Sequence, residues 1–304
     1  MSRDNVLVSV VIPTYRRTVE YVSKAVESVI NQTYQNVEII VIDDSTSAYE
    51  KQNETENYFK SLNKSNVIYL QNEENLGGSL TRNRGIEAAS GDYITFLDDD
   101  DEYQPEKIER QLNFMLGNGC DMTFTDLAIY TPDGTMVDYR EYSKIERFDN
   151  DYLLRYHLTR HMTGTPTFMF KAEKLREIGG FDVVKVGQEF HLMLKAILGN
   201  LRIAYMPECY VKAYRHPDGG ISGGANKIKG EKALFEFKKQ FFPKLSKQEV
   251  RFVKFRHHAV LAAGYKRNKM PGKMVAEAFR TVFASPVDFV KEIFGFVGKM
   301  LSHR

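Results

Sequence analysis

The chain has 304 residues, 42% hydrophobic and 27% charged, a balance that buries a sizeable core and excludes a disordered or fibrous protein. The net charge of +2 conceals an asymmetry: Lys227–Arg304 carries 18 basic and 6 acidic side chains, net +12, which leaves −10 for residues 1–226. Front and rear therefore expect different partners. Two cysteines, Cys120 and Cys209, make neither a disulfide framework nor a metal-ligand spacing, which points to a reducing compartment. The first apolar run is too short for a secretion signal and no stretch reaches 18 apolar residues, so a cytoplasmic chain is expected.

The first hundred residues alternate between two periods. Val6–Ile12 is a continuous β-branched run, the mark of a strand buried on both faces in a parallel sheet. Thr18–Gln32 follows with apolar residues at Val19, Val22, Val26, Val29 and Ile30, a helical spacing. Val37–Ile42 is a second buried strand, Tyr49–Leu62 a polar helix, and Val67–Leu70 a short strand. Ser79–Ala89 is a helix with Gly91 as its stop signal, and Tyr93–Leu97 a strand. Pro105 marks the first turn of the next helix, and Cys120–Tyr130 reads as one further strand. Such alternation predicts βαβ units, a mostly parallel sheet, and a ligand site beyond the carboxyl ends of the strands. Three of those ends are distinctive: Pro13-Thr14-Tyr15, Asp43-Asp44-Ser45, and Asp98 to Asp101.

Four adjacent aspartates repel one another and raise one another's pKa, so a cation is expected among them. Oxygen ligands suit Mg²⁺ or Mn²⁺, which take one or two carboxylates and complete their shell with water and substrate phosphates. An EF-hand loop does not fit, because its sixth position, counted from Asp98, is Tyr103 rather than Gly. No Walker loop or GxGxxG is present. Gly77 and Gly78 precede a helix bearing Arg82 and Arg84, and an arginine beside a metal site suits a diphosphate.

Taken together, VSVVIPTYRR, IVIDDSTS and NLGGSLTRNRGIEAASGDYITFLDDDDEYQP resemble the nucleotide-sugar half of family 2 glycosyltransferases, over about the first 110 residues and more loosely to about residue 225. The resemblance implies an α/β GT-A fold, a mostly parallel sheet flanked by helices, here with a C-terminal helical appendage. It implies a catalytic domain over 1–225, its donor half to about 115 and acceptor half from 116, followed by a basic helical region over 226–304. It further implies a UDP-sugar donor, Mn²⁺ or Mg²⁺, and inversion at the anomeric carbon. Carried over by the resemblance, Pro13 and Tyr15 are expected to pack on the base, Asp44 to contact uracil or ribose, and Arg82 to approach the nucleotide. Asp98 and Asp100 are the two acids of the DxD motif, with Asp100 on the metal; an alternative alignment gives the ribose contact to Asp99 and leaves Asp100 on the metal.

The resemblance implies a general base from the acceptor half. In GGFDVVKVGQEFHLMLKAILGN (Gly179–Asn200), the two glycines end a helix, and Leu192, Leu194, Ile197 and Leu198 mark the apolar face of the next. The resemblance puts Glu189 at the base position, in the place of the family's usual aspartate and one methylene longer. His216, in the Gly-rich segment Tyr214–Asn226, is implied as a contact to the metal or the diphosphate, and His161–Phe170 as a strand lining the acceptor pocket. In the rear, Glu231–Gln240, Gln248–Lys266, Met274–Phe283 and Val287–Leu301 read as helices. In the last, Phe289, Ile293, Phe296, Val297 and Met300 share a face, which fits either a packed appendage or a basic amphipathic surface meeting anionic lipid or a lipid-linked acceptor. Nucleic acid is not expected, since no recognition motif accompanies the basic patch. The expected activity is transfer to a hydroxyl of a surface polysaccharide, capsule or teichoic-acid-like glycan at the inner face of the membrane. The rivals are a sugar-nucleotide pyrophosphorylase, which would need glycines after the first strand, and a non-catalytic nucleotide-sugar-binding protein.

Overall fold

The computed structural model describes residues 6–46, 49–184, 186–215 and 224–291. They form two compact units, one of residues 1–150, 162–184 and 188–216, the other of 151–161, 185–187 and 217–304.

In the first unit the chain runs β1 (Val8–Thr14), α1 (Val19–Ile30), β2 (Val37–Asp43), α2 (Gln52–Leu62), β3 (Val67–Gln71), α3 (Gly78–Ala88), β4 (Tyr93–Phe96), β5 (Glu102–Tyr103), α4 (Lys107–Asn118), β6 (Met122–Thr125), β7 (Leu127–Tyr130) and β8 (Met136–Arg140). After α5 (Asn150–Arg160), which lies almost wholly in the second unit, come β9 (Met169–Lys171), α6 (Ala172–Glu177), α7 (Gln188–Leu198), β10 (Ile203–Met206) and β11 (Val211–Tyr214). A seven-stranded sheet has the order β10-β6-β9-β4-β1-β2-β3. Its strands are parallel except β9, which is antiparallel to both β4 and β6. A four-stranded sheet, β5-β11-β7-β8, carries the remaining strands.

The β-branched runs explain the central strands. Every residue of β2 and β4 is buried, as is all of β1 except Pro13. α1 covers this sheet with Val22, Val26 and Val29 of the expected stripe and with Ala25, while Val19 and Ile30 are half-buried. Because β1 lies between β2 and β4, the three distinctive strand ends meet at one edge. The Asp44 N–H donates to the Thr14 carbonyl (2.8 Å) and the Asn72 N–H to the Asp43 carbonyl (2.8 Å), which stitches the ends of β1, β2 and β3 together.

Several expectations need correction. Cys120–Tyr130 is not one strand: the chain changes sheets at Asp126, whose carboxylate accepts from Tyr139 Oη (2.9 Å) and Tyr205 Oη (2.5 Å). His161–Phe170 is not strand-like, because Gly164 turns at φ 135° into a 3₁₀ turn over Thr165–Thr167, and strand geometry begins at Met169. Pro105 precedes the helix, which starts at Lys107. Gly91 does not cap α3, which ends at an extended Ala89; a Cβ at Gly91 would lie 2.5 Å from Ser9 Oγ and 2.8 Å from the Leu7 carbonyl oxygen, so the glycine admits close backbone approach to β1. Leu198 is 46% exposed, outside the buried face formed by Leu192, Leu194 and Ile197. Strands β8, β10 and β11 carry no sequence signal comparable to those of β1 and β2.

The second unit is helical. After α5 it contains α8 (Gly224–Lys238), a 3₁₀ segment (Lys239–Lys244), α9 (Lys247–Arg267) and α10 (Pro271–Ala284). A capping box starts α9: the Glu249 N–H donates to Ser246 Oγ (3.2 Å) and the Ser246 N–H to Glu249 Oε2 (2.8 Å). Lys238 is buried and donates to the Leu158 carbonyl (2.9 Å), and burial pulls its ammonium down to about 7. Residues 286–291 continue as helix, while positions 292–301 of the last predicted helix, with Ile293, Phe296, Val297 and Met300, lie outside the described residues.

Candidate active site

The four aspartates after β4 have separate partners. Asp98 is half-buried and paired with Arg82 Nη2 (2.5 Å). Asp99 is buried; its Oδ2 accepts from Thr14 Oγ1 (2.8 Å) and its Oδ1 from Arg17 Nε (3.1 Å). Asp100 is half-buried and paired with Arg17 Nη2. Asp101 is buried and accepts from the Tyr214 N–H (2.9 Å), tying β11 to the end of β4. Burial pushes the Asp99 carboxyl up to about 6 against the pull of Arg17, and Asp100 adds to the rise. Burial, with Asp98 and Asp100 close by, also raises the Asp101 carboxyl well above the carboxylate range.

Arg17 is thus an intramolecular cation for Asp99 and Asp100. Its loop is set by Arg16, which sits at φ 51° and whose N–H donates to Ser45 Oγ (2.7 Å). A non-glycine residue in that region costs on the order of 1 kcal/mol, and here the bond to the loop after β2 holds it. Pro13 is half-buried at the end of β1, and Tyr15 is 40% exposed with the Arg16 guanidinium 5.3 Å from its ring centre.

Asp44 is buried. Its Oδ1 accepts from Asn72 Nδ2 (2.7 Å) and the Leu76 N–H (2.8 Å), and its Oδ2 from the Gly77 N–H (2.8 Å). It therefore shapes the turn that begins α3. Arg82, one turn into that helix, donates to Gln188 Oε1 (2.9 Å) as well as Asp98, and lies 5.6 Å from the Phe181 ring centre. Its Nε is buried without a hydrogen-bond partner. Arg84 points elsewhere, donating to the Gln71 carbonyl (2.5 Å) and to Asn72 Oδ1.

Glu189 follows Gln188 in the first turn of α7 and is half-buried. Burial raises its carboxyl; the charge of Asp98 adds to the rise, and Arg82 and Arg140 oppose it. Pro13, Tyr15, Asp44, Arg82, Asp98, Asp99, Asp100 and Glu189 thus belong to one unit, with the Gln188–Arg82–Asp98 chain joining α7 to the strand ends. His216 lies outside the described residues. Arg17 and Thr14 are the contacts sequence reading missed, although the Arg-Arg pair directly after a strand facing four carboxylates was a signal for them.

Among the described residues no group of three or more His, Cys, Asp or Glu is placed to hold a metal ion. The donor set still fits Mg²⁺ or Mn²⁺: hard carboxylate oxygens, two of them only half-buried, at an edge where a diphosphate would supply the other ligands. No described helix is long and apolar enough to cross a membrane.

The family model for glycosyl transferase family 2 matches residues 9–179. TuaG of Bacillus subtilis, a glycosyltransferase assigned to teichuronic acid biosynthesis, is 36% identical over 132 residues, 43% of this chain. The chain spans about half the length of that relative (51%). Two solved structures share the fold: Staphylococcus aureus TarS residues 1–349 with UDP-GlcNAc, at TM-score 0.61 and 18% identity over 91% of both chains, and the mannosyltransferase PcManGT of Pyrobaculum calidifontis with GDP-Man and Mn²⁺, at TM-score 0.60 and 13% identity over 92% of this chain and 88% of that one. The match covers more than half of the chain and takes in β1 from Ser9 onward, the aspartates and Arg82, so this protein belongs to glycosyl transferase family 2.

Proposed function

We propose that the protein transfers a sugar from a UDP-sugar to a hydroxyl of a surface polysaccharide or a lipid-linked precursor of one, with inversion, at the cytoplasmic face of the membrane. The observation that carries this reading is the meeting of Asp98–Asp100, Arg82 and Glu189 at the carboxyl edge of β1, β2 and β4. TuaG and the UDP-GlcNAc complex of TarS support the polymer and the donor class; the Mn²⁺ in the PcManGT complex supports the ion.

The residues divide the work. Pro13 and Tyr15 receive the base, and Asp44 and Asp99 shape the pocket around the ribose. Asp100 holds the divalent ion, with His216 as a second contact; when bound, the ion offsets the charge of the departing diphosphate. Arg82 supplies a fixed positive charge beside the phosphates, already oriented by Asp98 and Gln188. Glu189 accepts the acceptor's proton as the hydroxyl oxygen bonds to the anomeric carbon and the bond from that carbon to the β-phosphate oxygen breaks, releasing UDP. A carboxylate with a raised pKa is the stronger base, and burial provides that at Glu189.

Glu189→Gln removes the proton acceptor and keeps the shape. With Mn²⁺ and a panel of UDP-sugars, UDP release should fall roughly 100- to 10,000-fold while UDP affinity stays within about twofold. UDP release near the wild-type rate would remove Glu189 from the role of base.

A further inference from the structure

Helix α10 is amphipathic in the reverse sense. It packs along α9, and the residues it buries there are polar: Glu277 and Thr281, each 6% exposed, with Ser285 buried just beyond its end. Glu277 is held by His258 Nδ1 (2.7 Å) and Arg280 Nη1 (2.6 Å), and Thr281 Oγ1 donates to the Glu277 carbonyl (2.8 Å). The outward side is apolar. Val275 is 45% exposed, Phe279 62% and Phe283 81%, a stripe at four-residue spacing. Val287 and Val290, in the helical stretch that follows, are exposed as well. An ordinary surface helix buries its apolar stripe, so this one is built to meet something else.

The flanking charge identifies what it meets. From the end of α9 through α10 and the helical stretch after it, Lys266, Arg267, Lys269, Lys273 and Lys291 are exposed, as is Arg280, which pairs with Glu277. The acids of the same stretch are turned inward: Glu277 is buried, and Asp288 is half-buried and accepts from Ser285 Oγ (2.5 Å). A second copy of the chain would bring the same cations against these, whereas a surface of anionic lipid brings the complementary charge.

We propose that this face of the helical unit lies on an anionic bilayer, with Phe279 and Phe283 at the boundary between headgroups and acyl chains and the lysines on the lipid phosphates. The inference goes beyond the transferase reading and uses none of its residues.

The test is sedimentation of the full chain with vesicles of phosphatidylcholine alone or with three-tenths phosphatidylglycerol. Binding should be at least about tenfold stronger to the anionic vesicles, weaken at high salt, and drop about tenfold or more in the Phe279→Ser/Phe283→Ser variant. That variant should melt at the wild-type temperature, because both rings are exposed. Should it fail to fold, Lys269→Glu/Lys273→Glu provides the same comparison through charge. Equal binding to both vesicle types, or unchanged binding by the variants, would overturn the proposal. So would self-association that the same phenylalanine substitutions abolish in a chain that ignores vesicles, since a second copy would then cover the face.

Discussion

Asp98 to Asp101 are adjacent in sequence, yet each turns to a different element. Asp98 faces α3 through Arg82, Asp99 faces β1 through Thr14, Asp100 meets Arg17, and Asp101 holds β11. The need for a cation was legible from the repulsion among four carboxylates; that the chain supplies two guanidinium groups itself was not, because Arg17 reaches across 82 residues of sequence. Asp44 is a similar case. Its place at the end of β2 was legible, but the three bonds it accepts from 72–77 depend on how that turn closes. Arg17 already pairs with Asp100, so if Asp100 takes a divalent ion as proposed, Arg17 must share or yield that carboxylate. Arg17→Ala should therefore lower the melting temperature without metal, at a cost of about 1–2 kcal/mol after allowing for its one-third exposure. Mn²⁺ should then raise the melting temperature more in the variant than in the wild type. Equal Mn²⁺-induced shifts would show that Arg17 does not compete for the site.

At the scale of elements, continuous β-branched runs identified β1 and β2, since a strand covered on both faces has no polar side to blur the pattern. The strands after β7 were harder to read. β8 is mostly exposed, β10 and β11 have four residues each, and none has a run long enough to register a period. The Ser246-Glu249 capping box, by contrast, was a signal that could have placed the start of α9. Glycine roles were legible as punctuation but not as packing. Gly85 in α3 lies against β1, and a Cβ there would sit 2.3 Å from Val11 Cγ1, on a side chain with no exposure. Gly85→Ala gains up to about 1 kcal/mol of helix propensity but overpacks the helix–sheet contact by about 1–3 kcal/mol. The variant should melt several degrees lower, and a higher melting temperature would mean that α3 can shift outward freely.

For the whole molecule, the charge asymmetry seen in the sequence maps onto chemistry rather than solubility alone. The acidic part carries carboxylates that call for cations, and the basic part carries an exposed apolar face in a stretch with exposed lysines. In the proposed function the aspartates after β4 hold a divalent ion against a nucleoside diphosphate. Calorimetric titration of the full chain with UDP, first with Mn²⁺ and then with EDTA, tests it most directly, with Asp100→Ala as the control. Binding should require Mn²⁺ and be lost in Asp100→Ala. UDP affinity that is the same with Mn²⁺, with EDTA and in Asp100→Ala would contradict it.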